Sequence, residues 1–266
     1  NSINIGRLFP QIVYYVTTYI NLRNKGTIAE NEKFNVIVPT GNFGNILAAF
    51  IAKKMGIPID KLISASNENN VLADFFKTGT YDKKRPFYTT NSPSMDILLS
   101  SNFERYLYYV TGENSLRISE LMNDLAKNGT LSVTKDELTE IQKEFYGEFA
   151  TEAETVTSIK KVYSEFSYLM DPHTAVGYAV LEKYLKESGD KTHSVIISTA
   201  HPYKFPYATA LALDIPEKEN PYEMLDELSK VTGIKLPKQL EDLKNLPLRF
   251  SVIIDKSEIS EYVRKK

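Results

Sequence analysis

The sequence predicts an α/β fold, an open and mostly parallel sheet flanked by helices, with a helical insertion. Three observations predict it. The run Val36-Ile37-Val38-Pro39 is β-branched, and it leads through Gly41 and Gly44 into an apolar helical stretch over 46–55. Leu62-Ile63-Ser64-Ala65-Ser66, followed by a helical pattern over 71–77, repeats the alternation, and strand–helix–strand–helix at this spacing implies parallel pairing. Residues 194–198 form a third apolar, β-branched run, as expected of a parallel strand covered on both faces.

Bulk properties bound the function. With 266 residues, 42% apolar and 25% charged, the chain has room for one large core or two smaller ones. A net charge of −2 and no long basic run argue against a nucleic-acid binder. Zero cysteines exclude a disulfide framework and a thiolate metal site, and fit a reducing, cytoplasmic setting. The longest apolar run, residues 46–52, falls far short of the roughly 20 residues of a membrane span, so no membrane association is expected. The sequence opens on Asn1 rather than on a methionine, which suggests processing or a piece of something longer.

Taken in order, residues 6–22 place Leu8, Ile12, Tyr15, Val16 and Tyr19 at helical spacing, with Pro10 tolerated in the first turn and Asn1 and Asn4 available as caps. Residues 24–33 are a polar connector. The helix over 46–55 is apolar nearly all round, suits burial against a sheet, and is stopped by Gly56 and Pro58. Asn67 lies just past the strand over 62–66. There it could meet a ligand or simply shape a turn, and both readings stay open. The helix over 71–77 closes at Thr78-Gly79, and 81–91 reads as a loop. Ser92 and Pro93 read as N-cap and first helical residue, and the aromatics Phe103, Tyr106, Tyr108 and Tyr109 of a helix over 102–110 read as core.

Three helices are expected next, over 115–127, over 134–146 behind the capping box of Thr134 and Glu137, and over 151–168. They break the alternation, which divides the chain into an α/β region over 1–106, a helical insertion over 107–166, and the rest of the α/β domain with C-terminal helices over 167–266. Asp171-Pro172 opens a helix to about residue 186. Thr199 follows the carboxyl end of the strand over 194–198, the second place where such sheets meet ligands. After Pro206 the chain is helical and charged, with a final strand over 248–254.

The glycine turn is the best candidate for binding. A strand feeding a glycine turn that opens a helix points several N–H groups, and the positive end of the helix, at one spot that favours a phosphate. Gly41 and Gly44 let the backbone approach an anion without Cβ interference. Spacing alone fits a plain turn equally well, since no third glycine and no Gly-Lys-Ser/Thr follows. Of the three histidines, His193 reads as surface, His173 as a first-turn helical residue and His201 as the best placed; none has metal-ligand spacing.

The letters carry more than the spacing. Pro39-Thr40-Gly41-Asn42-Phe43-Gly44-Asn45 resembles the phosphate-cradling loop of threonine synthase, a pyridoxal-phosphate (PLP) enzyme of fold type II. Asn1-Ser2-Ile3-Asn4 with Gly6-Arg7, Ala65-Ser66-Asn67-Glu68-Asn69, Ser92-Pro93-Ser94-Met95-Asp96 and Ser101-Asn102-Phe103-Glu104-Arg105 are similar to family segments, in the family's order. So are Asp171-Pro172-His173-Thr174-Ala175-Val176 and Thr199-Ala200-His201-Pro202-Tyr203-Lys204-Phe205.

The resemblance implies a fold type II large domain and PLP as cofactor, with Gly41, Asn42, Phe43, Gly44 and Asn45 around its phosphate and the Thr199 hydroxyl at its ring nitrogen. It implies substrate contacts from Asn1, Asn4, Arg7, Asn67, Arg105, His173 and His201. The family's Schiff-base lysine lies in a Phe-Lys-Asp type motif upstream of the Asn1 segment, and no such motif occurs here. The chain is therefore expected to be the C-terminal portion of a longer protein, partnered by its own N-terminal portion, that converts O-phosphohomoserine and water to L-threonine and phosphate. A non-catalytic PLP- or phosphate-binding module, or a PLP lyase acting on another hydroxy or phospho amino acid, are the alternatives. A large domain without its partner exposes apolar surface at the cleft, from which a homo-oligomer is expected.

Overall fold

The computed structural model describes residues 4–247, 249 and 251–265. Asn4 caps the first helix, its Oδ1 accepting the Gly6 N–H at 2.8 Å, and α1 (Ile5–Asn24) turns Leu8, Ile12 and Tyr15 inward. After the polar connector come β1 (Phe34–Pro39), α2 (Gly44–Lys54), β2 (Ile59–Ser66) and α3 (Val71–Thr78), the alternation that the residue pattern implies. Then β3 (Thr80–Asp82), α4 (Phe103–Val110), α5 (Ser115–Asn128), β4 (Thr130–Ser132), α6 (Lys135–Glu144), β5 (Phe145–Phe149) and α7 (Glu152–Phe166) follow. The first compact unit, which ends at Glu217, is completed by α8 (Pro172–Ser188), β6 (Ser194–Ile196) and α9 (Pro206–Ala212).

The main sheet has the order β5-β2-β1-β6 and is parallel throughout. Side chains alternate across it. Phe34, Val36, Val38, Leu62 and Phe145 join the larger core cluster with α1 to α4, while Ile37, Ile63 and Ala65 face α8 through Val176, Ala179 and Val180. Helices thus cover both faces. At Gly177 α8 lies close against the sheet: a Cβ there would lie 3.0 Å from Cγ2 of Ile196 and 3.5 Å from Cγ of Pro39. This close approach carries the start of α8, and His173 with it, to the end of β1.

Several expectations are corrected. Phe145–Phe149 takes up the last two residues of the helix expected over 134–146 and the first three of the connector expected after it, yet it is the edge strand β5, paired in parallel with β2. Phe145 and Gly147 are buried, and Gly147 lets α3 lie close, since a Cβ there would be 2.8 Å from Cβ of Phe76 and 3.1 Å from Cα of Ala73. The expected loop over 81–91 begins within β3, which forms a two-stranded antiparallel ribbon with β4. Ser92 starts only a single 3-10 turn, Pro93–Met95, and makes no side-chain cap bond. Tyr108 and Tyr109 are exposed, whereas Phe103 and Tyr106 are buried. The strand β6 is short and half-buried because β1 is its one strand neighbour among the described residues.

The second unit starts at Lys218, so the compact division differs from the expected boundaries at 106/107 and 166/167. It carries α10 (Pro221–Thr232), capped by Asn220 and closed by Gly233 at φ 71°, then α11 (Lys238–Leu243) and α12 (Ile259–Arg264). Of the expected final strand over 248–254, Leu248 and Phe250 lie outside the described residues and 251–254 are not a strand. Among the described residues no helix is long and apolar enough to cross a membrane.

Candidate functional site

The glycine turn sits at the carboxyl end of β1, where parallel sheets place ligands. Thr40 continues the ladder for one residue, its N–H donating to Ala65 O at 2.8 Å and its hydroxyl to Val38 O at 2.6 Å. Phe43 then takes a left-handed conformation, φ 63° and ψ 6°, unusual for a residue with a side chain. Its ring compensates: it is buried among Phe76, Phe103, Tyr106 and Phe145, with centroids 5.3–6.2 Å away. This reversal starts α2, whose first turn is closed by the Leu47 N–H on Phe43 O. Among the described residues, no protein acceptor lies on the backbone N–H groups of residues 41–46. Orphan donors at the start of an 11-residue helix, with its positive end behind them, are the donor set that an anion cradle requires.

A cavity of about 210 Å³ opens over this turn. It brings together Gly41, Asn42, Phe43, Gly44 and Asn45 with Thr199, an exposed residue just past β6, and with His173. It also takes in Gln11, which sequence reasoning did not single out, and Ser94 and Met95, which belong to a segment similar to the family's but were given no role. The donor set fits a phosphate, and the Thr199 hydroxyl, also in the lining, fits a neutral hydrogen-bonding atom. The residues present are thus chemically suited to PLP.

The oxygens of the turn are tied away from the cavity. Gly41 O accepts the Ser100 hydroxyl at 2.6 Å, and Asn42 O accepts the N–H and Nδ2 of Asn102 at 3.1 and 2.9 Å. Asn42 Oδ1 accepts the Ser101 hydroxyl at 3.2 Å. The Tyr15 hydroxyl donates to Asn45, 2.6 Å from Oδ1 and 3.1 Å from the carbonyl. Burial pushes the Tyr15 hydroxyl pKa up, which keeps it a donor.

His173 is buried and fully engaged. The Ser94 N–H donates to its Nε2 at 3.1 Å, which leaves the proton on Nδ1, 2.9 Å from the Asp171 carboxylate. Asp171 also caps α8 through the N–H groups of His173 and Thr174. His173 therefore pins the 3-10 turn over the cavity, and its ring nitrogens have no lone pair or proton left over.

Among the described residues, the other expected substrate contacts do not line this cavity. Asn1 lies outside the described residues, and Asn4 caps α1. Arg7 lies exposed in the first turn of α1, its carbonyl accepting Gln11 Nε2 at 2.8 Å. Asn67 is buried in a polar network, donating to Asp96 at 2.8 Å and to Thr90 at 2.8 Å. Arg105 donates to Asn102 Oδ1, and exposed His201 accepts the Tyr203 N–H at 3.2 Å. Sequence held weak signals for the residues it missed: Gln11 and Tyr15 share a face of α1 at i,i+4, and Ser100 adjoins a family segment.

Residues 174–263 match the family model described as threonine synthase, C-terminal. The chain is 42% identical to threonine synthase of Schizosaccharomyces pombe over 234 residues, 80% of this chain and 45% of that protein. It is 45% identical over 219 residues to the human protein named threonine synthase-like 1, 82% of this chain and 29% of that protein. The crystal structure of PLP-bound threonine synthase from Brucella melitensis superposes with a TM-score of 0.83 at 36% identity, over 100% of this chain and 52% of that one. The chain thus spans less than half the length of these two sequence relatives.

Proposed function

We propose, for a chain that belongs to the threonine synthase family, that residues 41–46 and Thr199 hold PLP in a longer protein that makes L-threonine and phosphate from O-phosphohomoserine and water. One observation supports this above the rest. The six residues expected around the cofactor line a single cavity, and the backbone N–H groups at its floor have no acceptor among the described residues. When bound, PLP supplies the electron sink for the carbanions of such chemistry. The work of this chain is to bind and orient. The six N–H groups and the start of α2 neutralise the cofactor phosphate. The Thr199 hydroxyl meets the ring nitrogen without giving up its proton, which tempers the sink. His173, through Ser94, keeps the covering turn in place.

The covalent lysine and much of the substrate phosphate site belong to the N-terminal portion in this reading. A cytoplasmic setting and self-association through the cleft are part of the same proposal. The test is to assay the full-length protein with PLP and O-phosphohomoserine. Phosphate and threonine released in equal amounts is the expected result. Tight PLP binding with no turnover would overturn it in favour of a binding module or of a lyase for another hydroxy or phospho amino acid, which trials with serine and threonine would separate.

A further inference from the structure

We propose that Tyr15, Ser100 and Asn102 are positioning residues that take up the oxygens of the 41–45 turn, so that it presents N–H groups alone to a phosphate; this rests on the reading of that turn as the phosphate site. A glycine turn is not an anion site by default. Each of its residues carries a carbonyl as well as an N–H, and Asn42 and Asn45 each carry an amide with one donor end and one acceptor end. An oxygen turned toward a phosphate would repel it and offset a donor.

The surroundings remove that conflict oxygen by oxygen. Ser100 holds Gly41 O, and Asn102 holds Asn42 O twice. The orientation of Asn102 is itself determined: Arg105 has only donors, so the atom it touches is Oδ1, and Nδ2 must face the turn. Tyr15 sets Asn45 in the same way. Its 2.6 Å contact has the length of an O–H···O bond and is short for an amide nitrogen, so Oδ1 faces Tyr15 and Nδ2 faces away. Among the described residues no acceptor lies on Nδ2 of Asn42 or of Asn45, and both residues line the cavity. Tyr15 comes from α1, far from the turn in sequence, and a fully buried hydroxyl spent on the turn's oxygens is explained by this sorting.

The experiment uses the full-length apoprotein and measures affinity for PLP and for pyridoxal, the same ring without the phosphate, by equilibrium dialysis. Tyr15→Phe and Ser100→Ala each remove one hydroxyl and little volume, with folding checked by circular dichroism. Each should weaken PLP about tenfold, the effect of one lost hydrogen bond, and leave pyridoxal unchanged. The phosphorus NMR shift of bound PLP should move in both variants. Equal losses for PLP and pyridoxal would mean general loosening, and no loss for either would mean that the oxygens do not matter; each result overturns the proposal. Gly44→Asp in parallel tests the underlying reading, because unchanged PLP affinity there would remove the turn as the phosphate site. A loss in Gly44→Asp with none in the two hydroxyl variants would overturn the sorting alone.

Discussion

At Gly41 a single hydrogen separates the turn from the segment that covers it. A Cβ would lie 2.9 Å from Ser94 O, 3.0 Å from Cδ1 of Ile97 and 3.2 Å from Cα of Met95. Two of these three are backbone atoms that cannot swing aside, and His173 holds Ser94 from behind. Gly41→Ala should therefore displace the covering turn, cost about 1–3 kcal/mol of overpacking strain, and weaken PLP binding in the full-length protein. Unchanged thermal midpoint and PLP affinity in that variant would show that the turn yields freely. The residues of the glycine turn were legible because a β-branched run, two glycines and an apolar helix leave a local pattern. Arg105 was not. Its guanidinium reads as a phosphate ligand by type, and only the fold shows that one of its nitrogens is directed to Asn102.

Elements follow their caps. Thr134 accepts the Glu137 N–H while Glu137 accepts the Thr134 N–H, so α6 starts where the letters say it should. The same box recurs at Thr151 and Glu154. Thr134→Ala should cost about 0.5–2 kcal/mol, read as a lower urea midpoint with an unchanged slope. A midpoint equal to that of the unsubstituted protein would mean that packing alone holds α6. The end of α6 was illegible for the converse reason. No glycine or proline marks the junction of Glu144 and Phe145, and the change from helical to alternating period happens at a peptide bond, so the first two residues of the strand were read into the helix and the rest as a connector. What ends α6 is long-range: Phe145, Tyr146 and Gly147 find partners in Leu62, Ile63 and Ser64, some eighty residues earlier.

For the molecule as a whole, the sheet order sets where charge matters. Asp190 closes the end of the sheet away from the cavity, accepting Asn35 Nδ2 of β1 at 2.8 Å, the Tyr184 hydroxyl of α8 at 2.6 Å and the Thr192 N–H at 2.8 Å. The Tyr184 hydroxyl first, then Thr192, hold this carboxyl well below the usual carboxylate range. A depressed pKa contributes stability that is complete above the unfolded value, about 4, and is lost as the pH falls below it. Asp190→Asn should be less stable at pH 7 and lose less between pH 7 and pH 3, as followed by urea midpoints at the two values. A parallel loss in both proteins would assign the acid sensitivity elsewhere. The layering of the molecule was legible from the composition of the strands, and the ends of β1 and β6 were expected at one site, whereas the close approach of α8 was not legible, since it depends on Gly177 letting a helix lie against two strands.

The strand β6 has a further consequence. One of its sides faces β1, and the other carries main-chain groups with no strand beside them among the described residues. Thr199, on the cavity wall, is three residues beyond its end. A chain that added itself to that open side would lie beside the segment leading to Thr199. Were such an addition to change affinity in the cavity by some factor, thermodynamic reciprocity would require occupancy of the cavity to favour the addition by the same factor.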